Sequence, residues 1–289
     1  MVDNKLTIHS DLNELPVELY LCPISFNYFS EINADNGKLT LEHVPPKSLG
    51  GKPIILTCKS INNTDGASSD KKMLGFFKTQ LFNDDKGKLP AKLLSIDRNF
   101  QGITSEVSID ASGSPKIQFL TSTKNLKVLE HKKLFDLWDG TQFKFSIKLQ
   151  KRIEKRTLLK CAYLMAFSKI GYNLFFSKNG YSQSTYGILG KVLRSEIAPD
   201  EYPIPYLNEH SPKDTPQIGL ITEPKHYRSL YVNLEFKLDG KTFKYAVFLP
   251  HPLENDLNSL INLEKLIING NDGKQFDLKI APIMDKYFV

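Results

Sequence analysis

The chain has 289 residues, 40% hydrophobic and 24% charged with 18 Phe and 12 Tyr, which fits one large globular domain or two ordinary ones with ample apolar material for a core. No apolar run approaches the roughly eighteen residues of a membrane-spanning helix, and the acidic, interrupted N-terminus does not read as a signal peptide. Three cysteines (Cys22, Cys58, Cys161) are too few for a disulfide framework, so a reducing cytoplasm is the expected location, and the formal net charge of +6 gains meaning only once it is located.

In chain order, Asn36-Gly37 is a turn signal, and Lys38-Leu39-Thr40-Leu41 reads as the strand that leaves it. Pro45, Pro46, Gly50 and Gly51 mark a loop, and Ile54-Ile55-Leu56-Thr57 is a short β-branched strand. From Asn62 or a few residues later the spacing of Met73, Leu74, Phe77 and Leu81 predicts a helix. Residues 83–130 read as irregular strands, with turns at Asp85-Lys86-Gly87 and at Ser112-Gly113-Ser114-Pro115. Phe143, Phe145, Ile147 and Leu149 then alternate with polar residues as a half-buried strand does.

The longest helix is expected from about Lys151 to Ile170, stopped by Gly171. Leu158, Leu159, Ala162, Tyr163, Ala166, Phe167 and Ile170 form its apolar face. Cys161 lies among them and reads as packing rather than as a nucleophile. The clearest hairpin pairs Tyr231–Lys237 with Phe243–Leu249 across Asp239-Gly240, and such a hairpin, if exposed, could add a strand to a partner. The fold class is therefore α+β.

The positive charge is concentrated. Residues 131–200 hold 13 basic and 5 acidic side chains, a net of +8, while residues 1–82 hold 8 and 9. Such a block is the expected footprint of a phosphate-binding surface, or more plainly a solvated helix face. Arg152, Lys155, Arg156 and Lys160 fall on one side of the predicted long helix, opposite part of its apolar stripe. Lys148 precedes them on the outer face of the strand, and Lys191 and Arg194 extend the set. These cations are the expected nucleic-acid contacts.

The chemically informative stretch is Glu42-His43-Val-Pro-Pro, then Leu49-Gly-Gly, then Leu56-Thr-Cys58 and Asn62-Asn63. Hydrolysis of a phosphodiester needs a base to activate water and a cation to neutralise charge on the phosphate. A His beside a carboxylate, facing amide oxygens, brings such groups together. In order and spacing the segment resembles the ββα-metal fold of HNH endonucleases over about residues 20–80, and more weakly along the helix from Leu158 to Tyr172.

The resemblance implies an N-terminal ββα-metal hairpin–helix module over residues 1–82. Residues 83–289 would then form a mixed helical and antiparallel β region, with the basic helical segment at about 131–200 and a hairpin-rich part at about 201–289. It implies a metal-dependent endonuclease that cuts DNA, with His43 as general base. Glu42 and Asn62 would be ligands of Mg²⁺ or Mn²⁺, Asn63 the lesser choice of second ligand, and Asp70 a contributor. Pro53 stands at about the position of the family's middle Asn.

Many members also hold a structural zinc with two Cys-x-x-Cys pairs. Here Cys22-Pro-Ile-Ser25 and Cys58-Lys-Ser-Ile61 each lack one thiolate, so Cys22 and Cys58 read as remnants of a lost zinc site, with packing around Ile61, Phe26 and Phe29 in compensation. DNA is the expected partner, with a homodimer left open and no membrane association. The alternative is a catalytically inactive HNH-like protein that still binds nucleic acid.

Overall fold

A computed structural model describes residues 5–8, 17–30, 36–62, 67–84, 87–95, 103–119, 143–208, 216–253, 257–269 and 278–283. The chain is mixed α and β, and among the described residues every sheet is antiparallel. It divides into two units, one made of residues 1–71 and 154–289 and the other of residues 72–153. The N-terminal segment therefore belongs with the C-terminal half, where the sequence pattern suggests a boundary near residue 82.

The larger unit begins with β1 (Lys5–Ile8), β2 (Val17–Leu21) and β3 (Tyr28–Phe29), which form a three-stranded sheet in that order. Next comes a separate two-stranded hairpin, β4 (Leu39–Val44) and β5 (Lys52–Cys58), entered through Gly37, whose φ of 67° suits the turn. A short helix, α1 (Lys59–Ile61), closes β5, and α2 (Ala67–Asn83) follows.

After residue 154 the unit resumes with α3 (Lys155–Ile170), α4 (Asn173–Phe176) and α5 (Gln183–Leu193). Gly171 stops α3, with φ of 66° and its N–H bonded to the Phe167 carbonyl at 2.7 Å. The helix starts four residues later than its charge pattern suggests, after Glu154. Every residue from Thr157 to Leu164 is buried, so α3 is enclosed on nearly all sides rather than along one stripe.

The core sheet has the order β10 (Tyr206–Asn208), β13 (Lys241–Pro250), β12 (Ser229–Leu238), β11 (Ile218–Glu223), β14 (Lys279–Pro282). The β12–β13 turn is the predicted Asp239-Gly240, with φ of 48° and 78° and Leu238 paired to Lys241. Two consecutive positive φ values match the twist of the flanking strands, which is why Asp-Gly is favoured there. Tyr231, Ala246, Phe248 and Ile221 pack against Leu260 and Leu263 of α6 (Asn258–Asn269). The opposite face, Leu230, Val232 and Leu234, is equally buried, and α3 lies beside β12 and β13. Both hairpin strands are internal to this sheet, β10 covering β13 over Tyr245–Val247 and β11 covering β12 over Leu230–Val232.

The second unit contains the rest of α2 and a four-stranded sheet in the order β8 (Pro115–Phe119), β7 (Ile103–Ile109), β6 (Leu89–Ser95), β9 (Phe143–Ile147). Leu89, Ala91 and Val107 form its core with Phe82, Ile117 and Ile147. The Asp110 carboxylate accepts the N–H groups of Ser112 and Ser114 and fixes the β7–β8 turn. The Ser112 hydroxyl donates to it as well, at 2.6 Å, and that bond first, with the two N–H bonds, holds its pKa below the usual carboxylate range. The turn expected at Asp85-Lys86 lies outside the described residues. Among the described residues, no helix is long and apolar enough to cross a membrane.

Candidate functional site

The β4–β5 pairing runs Leu39 to Cys58, Thr40 to Thr57, Leu41 to Leu56 and Glu42 to Ile55. It then shifts, so that His43 faces Pro53 and Val44 faces Lys52. Ile54 is the extra residue, and a bulge of this kind bends a ladder and redirects the side chains beside it. Alternation along β4 leaves Leu41 38% exposed and turns Glu42 inward, to 6% exposure. His43, next in the chain and at the bulge, is half-buried.

The loop that follows is tightly determined. The Leu49 and Gly51 N–H groups both bond the Pro46 carbonyl, at 2.8 and 3.2 Å. A Cβ on Gly51 would overlap the Pro45 carbonyl, and one on Gly50 would come within 2.9 Å of Lys237 Cβ on β12. These glycines allow the loop to fold on itself and to seat on the core sheet.

A buried carboxylate needs a partner, because desolvation would otherwise cost several kcal/mol. Glu42 has one in Lys160 of α3, whose Nζ lies 2.6 Å from Glu42 Oε1. The same ammonium donates to Asn62 Oδ1 at 3.2 Å. Asn62 is the residue at which α1 ends, just after β5. Glu42 Oε2 is buried without a hydrogen-bond partner and is an open acceptor in this cluster.

Asp70, half-buried in the first turn of α2, belongs to the same electrostatic group. Burial pushes its carboxyl up to about 6, with Lys160 pulling it down and Glu42 pushing it up. Cys161, beside Lys160, is fully enclosed, and burial raises its thiol well above the ordinary range. That environment agrees with packing and opposes nucleophilic use.

Hairpin, α1, the first turn of α2 and α3 thus bring Glu42, Asn62, Asp70 and Lys160 together, with His43 adjacent to Glu42. Asn63 lies outside the described residues. Lys160 is corrected in its placement: it is 9% exposed and ion-paired instead of standing on an outer helix face. The signal for this was a single cation inside the run Leu158-Leu159-Lys160-Cys161-Ala162, since a lysine is almost never buried unless paired.

The other helix cations are also engaged internally. Lys155 pairs with Glu264 at 3.2 Å, and the Arg156 guanidinium donates to the Ile197 carbonyl at 3.4 Å. Arg194 binds Glu196 at 2.6 Å and the Ile24 carbonyl at 3.1 Å, with its guanidinium over the Phe26 ring. Lys155 and Arg156 thus have partners within the larger unit while remaining half-buried, and Lys191 is exposed. Lys148 and Arg152 are exposed, and both lie in the second unit.

Cys22 and Cys58 are neighbours: Cys22 Sγ accepts the Ser25 and Cys58 N–H groups at 3.4 and 3.3 Å. Cys58 Sγ lies 3.1 Å from Ser60 Oγ. Of the residues expected to compensate, Phe26 packs on Phe175 and Tyr186 with centroids 5.5 and 5.3 Å away, Phe29 is buried and Ile61 is half-buried. Tyr163 Oη donates to the Pro23 carbonyl at 2.5 Å, and Tyr172 Oη bonds both backbone groups of Leu21 at 2.8 Å.

The oxygens of Glu42 and Asn62, implied by resemblance to hold a divalent ion, converge on a point already filled by the Lys160 ammonium. A divalent ion there would meet a buried positive charge, at a cost of about 4 kcal/mol per unit charge pair at about 4 Å and an effective dielectric constant of about 20. Among the described residues, no three His, Cys, Asp or Glu gather around one point to offset this. As arranged, the pair does not fit a divalent ion. In comparisons with known proteins, the chain matches no family model, no curated protein and no solved structure.

Proposed function

We propose that the chain is an HNH-like endonuclease that hydrolyses phosphodiester bonds in DNA at the β4–β5 hairpin. The observation that carries this reading is the convergence of Glu42, Asn62 and Asp70 on one cation, with His43 next to Glu42 at the bulge. His43 takes a proton from water, the water oxygen attacks phosphorus, and the bond to the leaving oxygen breaks as that oxygen gains a proton. A fixed cation offsets charge near the phosphate. Of the expected phosphate contacts, Lys148 and Arg152 are exposed, whereas Lys155, Arg156 and Lys160 already have partners within the larger unit.

The test is nicking or linearisation of supercoiled plasmid by the full chain in Mg²⁺, Mn²⁺ or EDTA, beside His43→Ala. Cleavage by the wild type, lost in the variant, supports the reading; cleavage at the same rate by both removes His43 as the base. One observation favours a second reading, nucleic-acid binding without hydrolysis: Pro53, the residue facing His43, has no polar side-chain group to hold the imidazole. That reading expects salt-sensitive retention of DNA by folded protein that never cuts it.

A further inference from the structure

We propose that Lys160 is the resident cation of this site: its ammonium, held by Glu42 and Asn62, stands where a divalent ion would, so the wild-type protein takes no divalent ion there. For its catalytic consequence, hydrolysis without a metal, the inference rests on the phosphodiester reading. For the exclusion of metal it does not.

Three observations carry it. The first is geometric. One nitrogen lies 2.6 Å from a carboxylate oxygen on β4 and 3.2 Å from the amide oxygen of Asn62, the residue at which α1 ends. The lysine comes from a third element, α3, 98 residues after Asn62 in the chain. Both oxygens therefore face a charge supplied from outside the hairpin.

The second is burial. Lys160 is 9% and Glu42 6% exposed, so both are desolvated and each is the other's ion-pair partner. Lys160 also has no easy way out. Its neighbours from Thr157 to Leu164 are all buried, so the ammonium cannot swing into solvent without leaving Glu42 unpaired in the interior. An exposed lysine could yield its place to a metal, but this one is built in.

The third is the charge balance. Glu42 and Asp70 supply two negative charges to the cluster, and Lys160 answers one of them. The ammonium is bonded to Glu42, the residue before His43. Adding a divalent ion to the ammonium would turn the cluster net positive in a buried setting.

The experiment is a calorimetric titration of the full chain with Mn²⁺ at low ionic strength and without nucleic acid, followed in parallel by the electron paramagnetic resonance of free Mn²⁺. The wild type is expected to take up no Mn²⁺ through the millimolar range, and Lys160→Met to bind it at least about tenfold more tightly, the charge having been removed. Micromolar Mn²⁺ binding by the wild type, lost in Glu42→Gln, overturns the proposal. So does an unchanged affinity in folded Lys160→Met. If Lys160→Met does not fold, the wild-type and Glu42→Gln titrations decide alone. Plasmid cleavage that persists in EDTA supports the catalytic consequence, and cleavage abolished by EDTA and restored by Mn²⁺ overturns it. Absence of cleavage under every condition counts against the hydrolase reading and leaves the titration result standing.

Discussion

The two hairpins of the larger unit are built to different specifications. β12–β13 pairs ten residues a side without a slip, closes with a two-residue turn and buries apolar side chains on both faces. β4–β5 pairs four residues, slips at Ile54, pairs two more, closes with a folded loop and buries a carboxylate. Both are antiparallel ladders, so the difference lies in what they carry. The first gains its stability from continuous apolar contact. The second gives up regularity where Glu42 and His43 are aimed, the usual place for bulges and buried polar groups in a working protein.

Several changes should separate the two. The largest effect is expected at the charged pair: Glu42→Leu leaves the Lys160 ammonium unpaired and should cost about 3–5 kcal/mol in a urea melt. The double change Glu42→Leu, Lys160→Met should recover most of that loss, because both charges then go together. A double variant no more stable than the single one would show that the ion pair is not what holds this region. Gly51→Ala comes next. The added Cβ meets the Pro45 carbonyl, and we expect about 1–3 kcal/mol of destabilisation, with loss of whatever activity depends on the loop. On the regular hairpin, Gly240→Ala forces a side chain into the left-handed region and should cost about 1–2 kcal/mol without touching the β4–β5 site.

A pH effect should be visible on the core sheet. His251, at the end of β13, is pulled from its ordinary 6.5 down to about 4 by burial and by the nearby Arg228 charge, and its Nδ1 accepts the Leu253 N–H. The unfolded chain therefore binds the proton first as pH falls. The stability linked to His251 is complete above about 6.5 and drains away between 6.5 and about 4. A His251→Gln variant should show a flatter urea midpoint across that window, and an unchanged slope would assign the acid response elsewhere. The smallest effect belongs to the exposed cross-strand pair Lys244–Glu235, at 3.6 Å. Lys244→Ala should shift stability by about 0.2–1 kcal/mol at most, and less at high salt.

Much of this was legible from residues alone. Asp239-Gly240 announces its turn because few residue pairs accept two positive φ values in a row. Asn36-Gly37, Gly171 and the strand Phe143–Ile147 are equally local signals. Glu42 and Asn62 could be singled out as a pair. Lys160 could not be joined to them, since nothing in a helical repeat tells which cation turns inward when the whole circumference is buried. The placement of Lys160 was hidden for the same reason: periodicity assumes one wide solvent side, and α3 has little of one. The grouping of residues 1–71 with 154–289 escaped as well, because it rests on contacts such as Tyr163 to Pro23 and Tyr172 to Leu21, each more than a hundred residues apart in the chain.

Those two tyrosines set an order of events during synthesis. The segment they grip leaves the ribosome long before they do, and Glu42 likewise emerges well ahead of Lys160. Residues 72–153 carry their own small core and have no such wait. A chain cut short before residue 160 would thus hold Glu42 without its cation. Arrested nascent chains, probed with protease at lengths on either side of Tyr172, should show the hairpin turning resistant only after that residue has cleared the exit tunnel.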